Sequence, residues 1–435
     1  MKKLLIPAIM AFAANMPAGA TTVSDPVLQA TPESVTEFED AAFGIFLHWG
    51  LYSMYGQGEW YLNYGPQREE YARAASAFYP SKFDAAEWVK AFKDGGAKYI
   101  TITTRHHDGF SMFHTSQSDY NIVDATPFGR DVIKEIADEC ARQGMRLHFY
   151  YSHIDWMRDD YPMGRTGHEN GKPADKADWK SYYSFMNAQL TELLTGYGPV
   201  GAIWFDGKWD HDEDEVPFDW ELPEQYNLIH KLQPSCLVAN NHHEPINPGE
   251  DIQIFERDLP GENTAGLSPQ GVSHLPLEAC QTMSRRWGYG VTDREFKDVT
   301  ELVHLLVSAA GKGSNLLLNI GPRPDGTLPE EAVDRLKGMG EWLATYGETV
   351  YGTRAGDFHS QTWGTSTRKG NKLFVHVLSA EAPVIYLPTK AEIVSAKVFG
   401  DGKKLKFRKM DAGGYALELG EVPQCADFVV EVLTK

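Results

Sequence analysis

Side chains capable of acid–base chemistry recur directly after short apolar runs in this 435-residue chain. Ile203-Trp204-Phe205 runs into Asp206, and Gly207 then breaks the run. A second run, 252–255, ends at Glu256. Others lead to His48, to His106 and His107, to Tyr151 and His153, to Asn240 through His243, and to Arg285 through Tyr289. Two carboxylates at the ends of different strands are what glycoside hydrolysis requires, with about 5–5.5 Å between them when one is a nucleophile. Asp206 follows a buried strand and suits the nucleophile. Glu256 precedes a stretch rich in Gly and Pro, 259–271, and suits an acid that must meet variable leaving groups. Plainer readings stand beside these. Asp-Gly after an apolar run is an ordinary turn signal, His48 and Trp49 fit a packed core, and adjacent histidines on a strand face opposite sides. A metal site is disfavoured: no His-x-His spacing occurs, and Glu301 and His304 fall inside a helical pattern. The acidic run 210–215 lacks the glycine and terminal glutamate of a calcium loop and is expected to be a solvated loop over the active face. Histidines mixed with Trp and Tyr suit a sugar, whose hydroxyls they bond and whose C–H faces they cover.

The elements that must hold these groups alternate. Strands are predicted at 43–47, 98–103, 145–151, 202–206, 236–240, 252–255, 279–283 and 315–320. Helical patterns occupy 84–93, 130–143, 178–195, 223–232, 298–310 and 329–346, several with Asp at the N-cap and Gly at the end. This rhythm predicts an α/β fold, a (β/α)8-like barrel over 21–350, irregular in its fifth to seventh units. Such barrels carry their chemistry at the carboxyl ends of the strands, where the groups above fall. After residue 350 the pattern becomes six short strands between Gly, Pro and Asp turns, which predicts a C-terminal all-β sandwich over 351–435.

The formal charge of −19 argues against a nucleic-acid partner, which needs clustered cations. Residues 1–20 combine Lys2 and Lys3, an apolar run and Ala18-Gly19-Ala20, the pattern of a secretory signal peptide. No later run reaches the roughly 18 apolar residues of a membrane span. A secreted or periplasmic protein without a membrane partner is therefore expected. Cys140, Cys236, Cys280 and Cys425 form neither a zinc pattern nor a disulfide framework; one or two disulfides or free buried thiols both fit, and Cys140 reads as core.

Taken together, FGIFLHWGLYS (43–53), EWY (59–61), RHHDGFSMF (105–113), IWFDG (203–207), RRWGYG (285–290) and NLLLNIGPRPDGTLP (315–329) resemble the α-L-fucosidases of glycoside hydrolase family 29, in the family's order. The resemblance implies a retaining exo-fucosidase acting on fucosylated oligosaccharides or glycoconjugates, with a barrel, a C-terminal sandwich and no required cofactor or metal. It assigns Asp206 as nucleophile and Glu256 as acid/base, with Glu278 the second candidate. It makes His48, Glu59, Trp60, His106, His107, Tyr151, Trp204 and Trp287 the sugar-binding set. Where members carry an Asn-Asp-Arg type sequence after strand five, this chain has Asn240-Asn241-His242-His243, so one arginine contact is missing. The surroundings of Glu256 and Trp287 resemble the branch preferring α-1,3/1,4-linked fucose. Competing readings are a retaining glycosidase for a galactoside-type sugar and a non-catalytic carbohydrate-binding protein.

Overall fold

The computed structural model describes residues 26–435; the predicted signal peptide lies outside them. Eight parallel strands form one sheet: β1 (Phe43–Leu47), β2 (Tyr99–Arg105), β3 (Arg146–Ser152), β4 (Ala202–Asp206), β5 (Leu237–Asn241), β6 (Gln253–Glu256), β7 (Leu277–Thr282) and β8 (Ser314–Ile320). Their order, β5-β4-β3-β2-β1-β8-β7-β6, brings the ends round to each other. Most positions on these strands are buried on both faces, as expected when helices cover the outside.

The barrel is almost closed. Between β5 and β6 a single bridge, Ala239 with Ile252, joins the edges. Asp251 completes the seam: its amide donates to the Val238 carbonyl at 2.8 Å, and its carboxylate accepts from the Val238 amide at 2.8 Å and the Ala30 amide at 2.9 Å. No helix follows β5 or β6, so the irregularity predicted for the fifth to seventh units falls on the fifth and sixth, while β7 is followed by a helix. The other units carry helices as predicted, among them Val132–Gln143, Trp179–Gly196, Leu222–Leu232, Val299–Gly311 and Glu330–Tyr346. Four of the N-caps are Asp84, Asp131, Asp178 and Asp298, each accepting the amide three residues on.

The sequence pattern gave no sign of the helix Pro32–Glu39, capped by Thr31. It sets Phe38 against Tyr99 and His148 inside the amino-terminal mouth, and Asn315 donates to the Phe38 carbonyl. The barrel's inner core includes Phe46, Tyr150, Trp204, Ala239, Cys280 and Leu317.

Beyond the barrel lies the all-β unit, with two antiparallel sheets of five and three strands around Leu373, Val375, Leu387, Leu417, Val430 and Val432. Two of its strands, Arg354–Ala355 and Gly364–Lys369, are too short or too polar to have been read from the pattern. All four cysteines are free, and Cys140 is buried.

Candidate active site

A cavity of about 390 Å³ opens at the carboxyl ends of the strands, a volume suited to one small ligand. Asp206 ends β4, with only 13% of its side chain exposed. Its Oδ1 accepts from Trp209 Nε1 at 3.0 Å and Asn241 Nδ2 at 3.4 Å, and its Oδ2 accepts from the Tyr150 hydroxyl at 2.9 Å. Burial and the nearby Glu256 push its pKa up to about 7, while the three donors oppose the rise by favouring the anion.

Glu256 ends β6, on the far side of the seam. The same Asn241 amide nitrogen that bonds Asp206 donates to Glu256 Oε2 at 2.8 Å. With one donor serving both, Asp206 Oδ1 and Glu256 Oε2 are separated by no more than the sum of 3.4 and 2.8 Å. That bound holds for the two oxygens sharing the donor and is compatible with the roughly 5–5.5 Å between the carboxyl groups of a retaining pair.

The histidines are neutral acceptors. Burial lowers His48 to about pKa 3 and holds His106 and His107 well below the usual imidazole range. Ser152 spends its hydroxyl proton on the Ile154 carbonyl, so its oxygen accepts from His107 Nδ1 at 2.7 Å. That fixes the tautomer and leaves His107 Nε2 a bare acceptor, 3.5 Å from Asp206 Oδ2. His48 likewise gives its Nδ1 proton to Asn319 Oδ1 at 2.7 Å. Asn319 in turn donates to the Trp287 carbonyl, tying two walls together. Two imidazoles with free Nε2 lone pairs are suited to accept from substrate hydroxyls.

Aromatic rings complete the enclosure. Trp60 stacks on Trp209 and meets His107 edge-on. Trp287 leans on His48 and Phe46. Glu59 is buried and its pKa raised by burial; it accepts from the Gly288 amide at 2.8 Å.

Of the residues predicted from sequence, His48, Glu59, Trp60, His106, His107, Trp204, Asp206, Glu256 and Trp287 all line this cavity. Tyr151 does not. Its hydroxyl donates to Gln189 Oε1 at 2.7 Å on the outer face of the barrel, and Tyr150 faces inward instead. Neighbours on a strand point to opposite faces, and Tyr150 pairs in register with Trp204. Glu278 does not line the cavity either. It is fully buried beneath the floor, accepting from Tyr99 at 2.6 Å and Trp204 Nε1 at 2.9 Å, so it has no route to a glycosidic oxygen. The run 210–215 is divided: Asp210 is buried, accepting from Tyr161 and Thr166, while residues 212–215 are exposed. Lining residues not predicted as site residues include Trp209, Asn241, His243 and Arg257. The first three stand at strand ends already marked by sequence, whereas Arg257 carried no signal beyond following Glu256.

Among the described residues, no group of three or more His, Cys, Asp or Glu side chains is arranged to hold a metal, and no helix is long and apolar enough to cross a membrane.

Two carboxylates bridged by one amide, in an aromatic pocket at the carboxyl mouth of a parallel barrel, define a barrel glycoside hydrolase. Comparison with known proteins narrows the class. Residues 17–348 match the alpha-L-fucosidase family profile, and the chain belongs to that family of glycoside hydrolases. Alpha-L-fucosidase isoenzyme 1 from Paenibacillus thiaminolyticus is 32% identical with a TM-score of 0.81, covering 93% of this chain and 99% of that one. The tissue alpha-L-fucosidase of Macaca fascicularis is 28% identical over 89% of this chain and 85% of its own. The alpha-fucosidase of Thermotoga maritima, solved in complex with a mechanism based inhibitor, is 26% identical with a TM-score of 0.73, covering 93% of this chain and all of that one.

Proposed function

We propose that the protein is a retaining exo-α-L-fucosidase that removes terminal L-fucose from oligosaccharides or glycoconjugates. The observation that carries this reading is the Asn241 amide shared by Asp206 and Glu256. In the first step the Asp206 carboxylate attacks the anomeric carbon as the glycosidic bond breaks, and Glu256 gives its proton to the departing oxygen. In the second, Glu256, now a carboxylate, takes a proton from water, whose oxygen displaces Asp206 from the sugar. Two displacements at one carbon retain its configuration. His48 and His107 accept from sugar hydroxyls, and Trp60, Trp204 and Trp287 cover apolar edges, including the methyl group of a 6-deoxy sugar.

Asp206→Gly should lower turnover of an aryl α-L-fucoside by about three orders of magnitude or more while the fold survives. Near-normal activity in that variant would overturn the assignment. Glu256→Gly should retain more activity on an activated aryl fucoside than on a natural glycan, with partial rescue by azide. Comparing aryl fucosides with aryl galactosides separates the fucose reading from the galactoside one. A preference for α-1,3/1,4 linkages is proposed from the motif resemblance around Glu256 and Trp287, to be tested by fucose release from a linkage panel. Export to the periplasm or medium is proposed from residues 1–20, and N-terminal sequencing of the protein recovered outside the cytoplasm would test it.

A further inference from the structure

Arg257 is the feature of the cavity that the two-step chemistry leaves unused. It follows Glu256 directly and has φ +58°, one of four non-glycine residues with positive φ among those described. His243, at φ +63°, is another. Such backbone is costly for residues with side chains, and it concentrates where surrounding structure holds a side chain in a required direction. Both residues line the cavity, and His243 Nε2 lies 3.6 Å from Glu256 Oε2.

The guanidinium of Arg257 lies over the Trp287 ring, 4.9 Å from its centroid, and gives one hydrogen bond, to the Arg285 carbonyl at 3.2 Å. It forms no ion pair among the described residues. Its remaining N–H donors are held in a rigid fork at the cavity wall. Leu267, from the loop after β6, lines the same cavity. On the reading proposed above, Glu256 must reach the glycosidic oxygen, so the leaving group has to lie beside Glu256. Arg257 flanks Glu256 while leaning on Trp287 of the sugar wall, so it stands where the fucose and its leaving group meet.

We infer that Arg257, His243 and Leu267 form a subsite for the sugar to which fucose is attached, with the Arg257 fork donating to paired hydroxyl oxygens of a neutral hexose. Arg257 thereby determines how strongly a sugar leaving group is preferred to an aromatic one.

The test is the ratio of kcat/KM on a fucosyl disaccharide to kcat/KM on an aryl α-L-fucoside, in the full chain and three variants. Arg257→Gly removes the side chain and relieves the left-handed backbone, so the fold should persist. Arg257→Lys keeps the charge without the fork. His243→Ala serves as the second probe. Loss of charge-assisted hydrogen bonds should lower the ratio about 30-fold in Arg257→Gly, with little recovery in Arg257→Lys and a smaller fall in His243→Ala. An unchanged ratio in Arg257→Gly, both substrates falling together, would overturn the subsite. Full recovery in Arg257→Lys would overturn the fork. A parent chain inactive on every α-L-fucoside would instead overturn the function on which the subsite rests.

Discussion

Asp206 must be ionised to act, yet burial and Glu256 raise its pKa to about 7. On the proposed mechanism the reacting pair holds one proton, with Asp206 ionised and Glu256 protonated, so kcat/KM should fall tenfold per pH unit above about 7, as that proton is lost. Gln at 256 stands in for the protonated acid and has no proton to lose, so in Glu256→Gln this limb should disappear. An aryl fucoside profile of Glu256→Gln measures this, and an unmoved limb would assign it to another group. Glu278 leads to a prediction about stability rather than rate. Its burial raises its pKa from 4.5 to about 7. A carboxyl with a raised folded pKa contributes its full stability below about pH 4.5, and loses it as pH rises through about 7. The ionisation cost is about 3 kcal/mol. Glu278→Gln should thus flatten the fall in melting temperature between pH 5 and 8 relative to the parent; a parallel fall in both would refute the assignment.

At the scale of elements, the seam between β5 and β6 places Asn241 and Glu256 on opposite edges of an almost closed sheet, joined by that one amide. Asp251 holds the edges below them. Asp251→Ala would strand the buried amide of Val238 and the half-buried amide of Ala30 and should cost about 2–4 kcal/mol, read by chemical denaturation. At the ordinary helix Val299–Gly311, loss of the Asp298 capping box through Asp298→Ala should cost only about 1 kcal/mol. Elements were legible in the sequence wherever local rules decide: Asp caps, β-branched runs and Gly stops marked the helices and strands with small end errors. The two units lacking helices read only as irregular, because their loops are fixed by contacts outside any helical or strand period, such as Glu250 with Tyr226 of the preceding helix. The sequence does not separate Tyr150 from Tyr151, because a pair of identical residues on a strand carries no sign of which faces inward. Glu278 reads in sequence like any carboxylate on a strand; its depth depends on Tyr99 and Trp204, far away in the chain.

The whole molecule joins barrel to sandwich through the helix Val299–Gly311, where Gly311 meets the strand Gly364–Lys369. A Cβ on Gly311 would lie 2.2 Å from Thr365 Oγ1, and Thr365 is itself buried. Gly311→Ala should lower stability by about 1–3 kcal/mol, and adding Thr365→Ala should recover part of that loss. Calorimetry of the single and double variants measures both; a neutral Gly311→Ala would show that the joint gives way freely. Along the barrel axis, the floor of the pocket is sealed. Phe46, Trp204 and Cys280 close it, Glu278 and Tyr99 fill the space beneath, and Phe38 stops the amino-terminal mouth. A chamber with one doorway imposes an order of traffic. On the proposed chemistry, a freed sugar must back out through the opening the next chain end needs. On that chemistry the enzyme should work distributively, releasing one fucose per encounter.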